Sequence, residues 1–228
     1  MHVHLPKPLH GWREFAGEVG IIVLGVLIAL GAEQLIEELH WRNEVSGFRN
    51  VLKEELRFDL GTYTYRAKQH DCISARLNEL QRWLDSWRSG HALQIKGVIG
   101  IPVSRTIHTS VWKGADPNTL AHFPRSERLF YGYLYDEFAN NDIHRLDERA
   151  TWIELNDFDG ATQLDHQDQI RLQGLIYRAR LRDRRIAQNY AEFSKRAAGM
   201  GLQPKEDPAW PPMEPELCRP ILQPSAAS

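Results

Sequence analysis

The sequence predicts an all-α protein: an N-terminal transmembrane helix continuing into an antiparallel helical bundle of about four long helices, with an irregular crossover and an extended Pro-rich C-terminal tail. Three observations predict it. Residues 19–32 read VGIIVLGVLIALGA, without a charge between Glu18 and Glu33. Beyond them apolar residues recur at three- and four-residue spacing, the period of a helix with one buried face. Gly and Pro punctuate residues 91–124, and seven prolines within 203–224 exclude a long helix there.

Composition sets the frame. A chain of 228 residues is long enough for one domain with appendages. Its 42% hydrophobic and 25% charged residues exclude wholesale disorder and a polytopic transporter. Lys and Arg number 28 against 30 acids, a net charge of -2, so no global field draws the molecule to nucleic acid. Cys72 and Cys218 are too few for a disulfide framework and form no CxxC pair. A bond between them would tie the tail to the bundle in an oxidising compartment; free thiols are the alternative.

Fourteen helical residues cover about 21 Å, less than the ~30 Å hydrocarbon core of a bilayer. A soluble core helix and the apolar region of a cleaved signal peptide are therefore alternatives to a span. The flanks favour the span. Trp12 and Trp41 lie 29 residues apart, about 44 Å along a helix, which places the two indoles in opposite interfaces. Phe15, Ala16 and Gly17 extend the apolar run backwards, and Leu35, Ile36 and Leu39 extend it forwards, giving an anchor over 19–36. Ala29-Leu30-Gly31 could serve as a processing site, but the segment before the apolar run contains Pro6 and Pro8 and carries Glu14 and Glu18 beside Lys7 and Arg13. An uncleaved anchor is expected. Gly25, Ala29 and Ala32 share one face and would let a second helix approach closely, from another copy or another membrane protein. Lys7 and Arg13 before the span, and Glu33, Glu37 and Glu38 directly after it, favour a cytoplasmic N-terminal tail (1–18).

The bundle domain is expected over 37–201. Leu35, Leu39, Val45, Phe48, Leu52 and Leu56 carry the anchor helix forward, with Gly61 as an interruption. Ile73, Leu77, Leu80, Leu84 and Trp87 form the next helix, ending at Ser89-Gly90 and folding back on the first as a hairpin. Residues 91–124 form the crossover. Pro124-Arg125-Ser126-Glu127 opens a long helix with Leu129, Tyr133, Phe138, Ile143, Leu146, Ala150 and Ile153 on its apolar face and an irregularity near Asn140-Asn141. After a turn at 156–160, the last helix starts near Thr162 or Leu164 and carries Leu172, Leu175, Ala179, Ile186, Tyr190, Phe193 and Ala197 up to Gly199 and Gly201. Residues 202–228 are the tail.

The segment Trp12-Arg13-Glu14-Phe15, Glu18 and then IIVLGVLIALGAEQ from Ile21 to Gln34 resembles the opening of a family of small bacterial single-pass membrane proteins. That family has an E-x-x-x-I-V-x-G-x-L-x-A-L type anchor and a helical domain of unknown function. A looser likeness lies in Thr109-Ser110-Val111-Trp112, Leu120, Phe123-Pro124, Glu127, Leu129, Tyr131 and Tyr135. The resemblance covers the first 60 residues or so and the middle loosely. It implies a bacterial membrane protein of this architecture and supplies no catalytic residues; the charges flanking the span are what lead to the expectation of an inner-membrane protein with the bulk of the chain in the periplasm.

Chemistry is weakly marked. Residues 136–168 carry ten acids and two arginines, whereas 169–196 carry eight Lys/Arg and two acids. Opposite charges on neighbouring helices are expected to pair with each other. Arg178, Arg180, Arg182, Arg184 and Arg185 point to several sides of a helix, with no aromatic platform or nucleic-acid motif beside them. No nucleic-acid partner is expected. The ten histidines include no HExxH and no i,i+4 pair, and Asp165 to Asp168 read as helix caps, so no metal site and no cofactor are assigned. No GxSxG, phosphate loop or Cys–His couple is encoded, so no catalytic residue is assigned. The candidate ligand-binding set is aromatic: His108, Trp112, Phe123, Tyr131 and Tyr135, with Tyr133 nearby, lining a pocket or simply packing. The expected function is a non-enzymatic, membrane-anchored module binding a partner or ligand. A tethered hydrolase using His108, His122 and Asp116 and an envelope scaffold without ligand are the alternatives.

Overall fold

The computed structural model describes residues 11–90, 93–210 and 215–222. Those residues are all-α. The helices are α1 (Trp12–Ala67), α2 (His70–Arg88), α3 (Ser110–Lys113), α4 (Pro117–Ala121), α5 (Arg125–Asn156), α6 (His166–Gly199) and α7 (Pro215–Cys218). Among the described residues no strand forms; a single bridge joins Ile95 to Leu222. His2, His4, Pro6, Lys7 and Pro8, and tail prolines 211, 212 and 224, lie outside the described residues.

The chain divides into two compact units, one of Met1–Arg49 with Asp116–Phe123, the other of Asn50–Ala115 with Pro124–Ser228. In the first, the apolar part of α1 is a candidate membrane span, and none of that stretch is buried among the described residues. Ile21 and Ile22 are 74% and 66% exposed, values a water-facing helix would rarely tolerate in a row of such side chains. Farther along, the short helix α4 is capped by Asp116, whose carboxylate accepts the Thr119 N–H at 3.3 Å. Pro117, lacking an N–H, suits the first turn. His122 stacks on Trp41 at 4.0 Å, and Phe123 meets Phe48 edge-on beneath the Arg49 guanidinium.

The second unit holds the main core. Ile73, Leu77, Leu80 and Trp83 of α2 pack with Trp152 and Leu155 of α5 and with Leu172, Leu175, Ile176 and Ala179 of α6. Each fully buried Leu or Ile contributes about 1.5–3 kcal/mol. Helix α6 runs antiparallel to both neighbours: Phe138, Asp147 and Glu154 of α5 meet Phe193, Arg182 and Arg178, and Asn78 and Arg88 of α2 meet Arg180 and Gln173. Its start is the polar cap expected from the sequence, a reciprocal pair between Asp165 and Asp168 at His166 rather than at 162 or 164.

Four sequence expectations need correction. Helices α1 and α2 do not fold back on each other as a hairpin, because the helical run Trp12–Arg88 is broken only at Lys68–Gln69. No Gly or Pro between 62 and 88 reverses the chain. At the break the Gln69 N–H turns to the Arg66 carbonyl, and the buried Gln69 side-chain amide takes over the Tyr65 carbonyl at 3.3 Å. The same amide pairs with Val103 through both its oxygen and its nitrogen, so the ladder is interrupted by an inserted side chain. Gly61 does not interrupt α1; it makes room. A Cβ there would lie 2.0 Å from the Lys205 carbonyl oxygen.

The third correction concerns α5, whose Leu129, Ile143, Leu146 and Ile153 are about half or more exposed, while Tyr131, Leu134, Tyr135, Trp152 and Leu155 are buried. The helix carries two apolar faces, and the one chosen for the core includes the polar Asn141, Glu148 and Thr151. No irregularity appears at Asn140-Asn141; Asn141 instead donates to the Glu137 carbonyl and accepts from Asn189. Fourth, the tail is not simply extended. The Lys205 N–H donates to the Arg57 carbonyl at 2.8 Å, Trp210 packs on Phe58 and Tyr65, and α7 places Leu217 in the core. Pro215 is tolerated because it opens that short helix. Cys72 and Cys218 are joined in a disulfide.

Candidate functional site

The aromatic set expected from the sequence is only partly assembled. Trp112 on α3 lies parallel to Tyr135 at 5.7 Å and tilted over Tyr131 at 6.3 Å. Gly132 lets the indole lie close, since a Cβ there would touch its Cζ2 at 3.4 Å. Glu55 of α1 holds α3 in place, accepting the Ser110 hydroxyl at 3.0 Å and the Val111 N–H at 3.3 Å. Tyr131 and Tyr135 are buried beneath the indole. Burial, then the Glu55 charge, push the Tyr135 hydroxyl far above its ordinary pKa. His108 sits instead on Phe58, with its N–H donating to Asp59 at 2.9 Å and its Nδ1 3.4 Å from the same oxygen. Tyr133 lies under the Arg196 guanidinium, and Phe123 belongs to the other unit beside Phe48. The Gly25, Ala29 and Ala32 face is exposed along α1, and a Cβ at Gly25 would meet nothing.

The three residues of the alternative hydrolase site have separate duties. His108 borders Asp59, His122 stacks on Trp41 with its Nδ1 2.9 Å from the Asn118 carbonyl, and Asp116 caps α4. Among the described residues no group of three or more His, Cys, Asp or Glu is placed to hold a metal ion.

The strongest electrostatic centre was not foreseen. Arg66 of α1, Glu148 of α5 and Asp183 of α6 are almost wholly buried where the three helices meet. The Arg66 guanidinium grips both Glu148 oxygens and donates to Asp183 at 3.0 Å. Burial pulls the Arg66 pKa down, but the Glu148 and Asp183 charges outweigh it and hold the group above its ordinary value. His70 brings its Nδ1 to 2.7 Å from the other Asp183 oxygen. The Arg66–Glu148–Asp183 triad ties α1, α5 and α6 at a single level and fixes their register, with His70 joining from α2; removing any one charge of the triad strands the others in a low dielectric.

Two further buried ions secure the tail. Arg76 of α2 donates to the Glu216, Leu217 and Arg219 carbonyls at 2.8, 3.2 and 2.8 Å, closing the end of α7. Glu79 accepts the Ile221 N–H at 3.2 Å. Asp59, fully buried on α1, keeps one oxygen unpartnered among the described residues. Burial, only partly offset by the His108 N–H, pushes its pKa up to about 8.

The signal that could have located these groups is a charged residue standing at a core position of a helix. Asp59 and Arg66 continue the Leu52, Leu56 and Tyr63 face of α1, and Asp183 fills the gap between Ala179 and Ile186 on α6. The expected pairing of oppositely charged helices is present, with Asp147–Arg182, Glu154–Arg178 and Asp157–Arg171 along the hairpin. Arg180 instead reaches Asn78, Arg184 the Arg180 carbonyl, and Arg185 the His144 ring. Comparison with protein-family models, with curated proteins and with solved structures finds no match.

Proposed function

We propose that the chain is a non-enzymatic, single-pass protein of the bacterial inner membrane, with its N-terminus cytoplasmic and its helical domain displayed in the periplasm to bind a partner or ligand. Membership of the single-pass family that the anchor resembles is part of this proposal. The observation that carries it is the apolar stretch of α1, which is unburied among the described residues and is bracketed by Trp12 and Trp41 at bilayer spacing. The Cys72–Cys218 bond supports the compartment, since disulfides persist in the periplasm and are rare in a mesophile's cytosol.

An interaction role is supported over a catalytic one by two features. Ile143, Leu146 and Ile153 on α5 and Tyr177 and Leu181 on α6 leave apolar side chains exposed on either side of an ion-paired seam. The uncovered Gly25, Ala29 and Ala32 face supplies a packing surface for a second copy or a membrane partner within the bilayer. By contrast His108, His122 and Asp116 are each occupied in structural contacts.

The test is topology mapping in intact cells, with a compartment-sensitive reporter fused after residue 228. A reporter active only in the periplasm should be active, and its cytoplasmic counterpart silent. The reverse pattern overturns the orientation, and a soluble full-length fusion overturns the anchor.

A further inference from the structure

Residues 215–222 lie in a groove of the second unit, between α2 and residues 95–101. The groove reads main chain. Arg76, its side chain wholly buried, donates to three carbonyls of the segment, and Glu79 accepts the Ile221 and Leu222 N–H groups at 3.2 and 3.4 Å. On the other wall the Lys96 N–H donates to the Ile221 carbonyl at 2.8 Å, and Ile95 bridges Leu222. Gly97 and Gly100, at φ 126° and 77°, bring that wall close: a Cβ would stand 3.4 Å from Ile221 Cγ2 and 3.7 Å from Leu217 Cα. Two apolar anchors, Leu217 and Ile221, are each 2% exposed. Main-chain hydrogen bonds with pockets for spaced side chains are how proteins hold an extended peptide.

The groove's charges have a second arrangement. Arg76 Nη1 lies 3.7 Å from a Glu79 oxygen, so with the segment gone the two neutralise each other and no lone charge is stranded. What keeps the segment in its own groove is the Cys72–Cys218 bond. Cys218 is exposed and Cys72 half-buried, so a thiolate can reach the Cys218 sulfur. A dithiol attacking there bonds to Cys218 as the bond to Cys72 breaks. Its second thiol then displaces Cys218, and each cysteine takes up one of the dithiol's protons. The products are two protein thiols and a disulfide-bonded reductant.

We propose that residues 215–222 are an exchangeable strap: once a dithiol has reduced the bond, the strap leaves its own groove and seats in that of a second copy. Every copy carries the segment that fits, and a groove that reads main chain takes it alike from its own chain or from another. Anchoring copies in one bilayer raises their local concentration. The proposal rests on the partner-binding reading above and names the partner.

The experiment co-expresses full-length Cys72→Ser and Cys218→Ser chains carrying different epitope tags, extracts them together in neutral detergent and adds a mild disulfide oxidant. Neither chain can close the bond within itself. Mixed pairs, Cys218 of the first linked to Cys72 of the second, should exceed like-with-like pairs at least tenfold on non-reducing electrophoresis. Adding Ile221→Asp to the Cys72→Ser chain, which donates the strap, should remove that excess. Pairs in a statistical ratio, or an excess that survives Ile221→Asp, overturn the proposal. In the parent chain, dithiothreitol should speed amide exchange at Leu217 and Ile221 at least tenfold while Leu77 and Leu175 keep their protection. Unchanged exchange at the strap, or loss of protection throughout, overturns it as well. A synthetic peptide of residues 215–222 carrying Cys218→Ser that binds the reduced chain, where no mixed pairs form, assigns the groove to a foreign peptide and overturns exchange between copies. None of these results bears on the topology reporter, so the two readings fail separately.

Discussion

Asp59→Asn should make the domain's stability less sensitive to pH, and the size of the effect follows from the burial of one carboxyl. Asp59 is fully buried, with one oxygen accepting the His108 N–H at 2.9 Å and the other without a partner among the described residues. Burial lifts its pKa to about 8, against about 3.9 in an unfolded chain. Below pH 4 the group is protonated in both states and contributes nothing. Between pH 4 and 8 the unfolded chain releases the proton while the folded chain holds it, so stability falls as pH rises. At pH 7 the difference of about three units corresponds to roughly 4 kcal/mol.

Asparagine keeps an oxygen for the His108 N–H and never ionises, but its buried amide introduces an unmade donor costing about 1–3 kcal/mol. That cost does not vary with pH. The variant should therefore be somewhat less stable than the parent at pH 4 and equal or more stable at pH 7, with the gap moving by about 4 kcal/mol across the interval. The assay is urea unfolding of the full chain in detergent, followed by tryptophan fluorescence at four or five pH values. A gap that stays constant with pH, or moves the other way, would show that Asp59 is ionised in the folded protein.

Other perturbations follow from the same contacts. The Cys72–Cys218 bond closes a loop with a sequence separation of 146, for which chain entropy gives about 5 kcal/mol. Cys72→Ser should lower stability by up to that amount and loosen α7, read by faster amide exchange at Leu217 and Ile221. Gly61→Ala should displace the Lys205 backbone, cost about 1–3 kcal/mol and shift the emission of Trp210; unchanged emission and stability would remove the tail from that face of α1. Arg66→Met should strand Glu148 and Asp183 and cost about 3–5 kcal/mol, with much of the loss recovered on adding Glu148→Gln and Asp183→Asn. Failure of the triple variant to regain stability would show that the network does more than neutralise itself.

The helices were legible because their periodicity is strong: the α2 and α6 core faces are the ones read from Ile73 to Leu84 and from Leu172 to Ala197. The long apolar stretch of α1, a candidate membrane span, was legible from composition alone. The α5 face was misread because both sides of that helix are apolar, and the buried side is diluted by Asn141, Glu148 and Thr151, whose partners lie on other helices. The path from α1 into α2 was misread because Gly61 suggested a break, whereas its missing side chain accommodates a carbonyl more than 140 residues away in the chain. The buried charges were invisible for the same reason: Arg66 looks solvated until Glu148 and Asp183 are brought beside it.

The proposed function requires that α1 anchor the chain in a membrane while the disulfide-tied domain lies in an oxidising compartment. The direct measurement traps thiols in intact cells with a membrane-permeant alkylating agent, washes the membranes with alkaline carbonate, and compares reducing with non-reducing electrophoresis. The full-length chain should stay in the washed membranes, with Cys72 and Cys218 unlabelled until reductant is added. Recovery of the full-length chain in the supernatant, or labelling of both cysteines before reduction, would contradict the account.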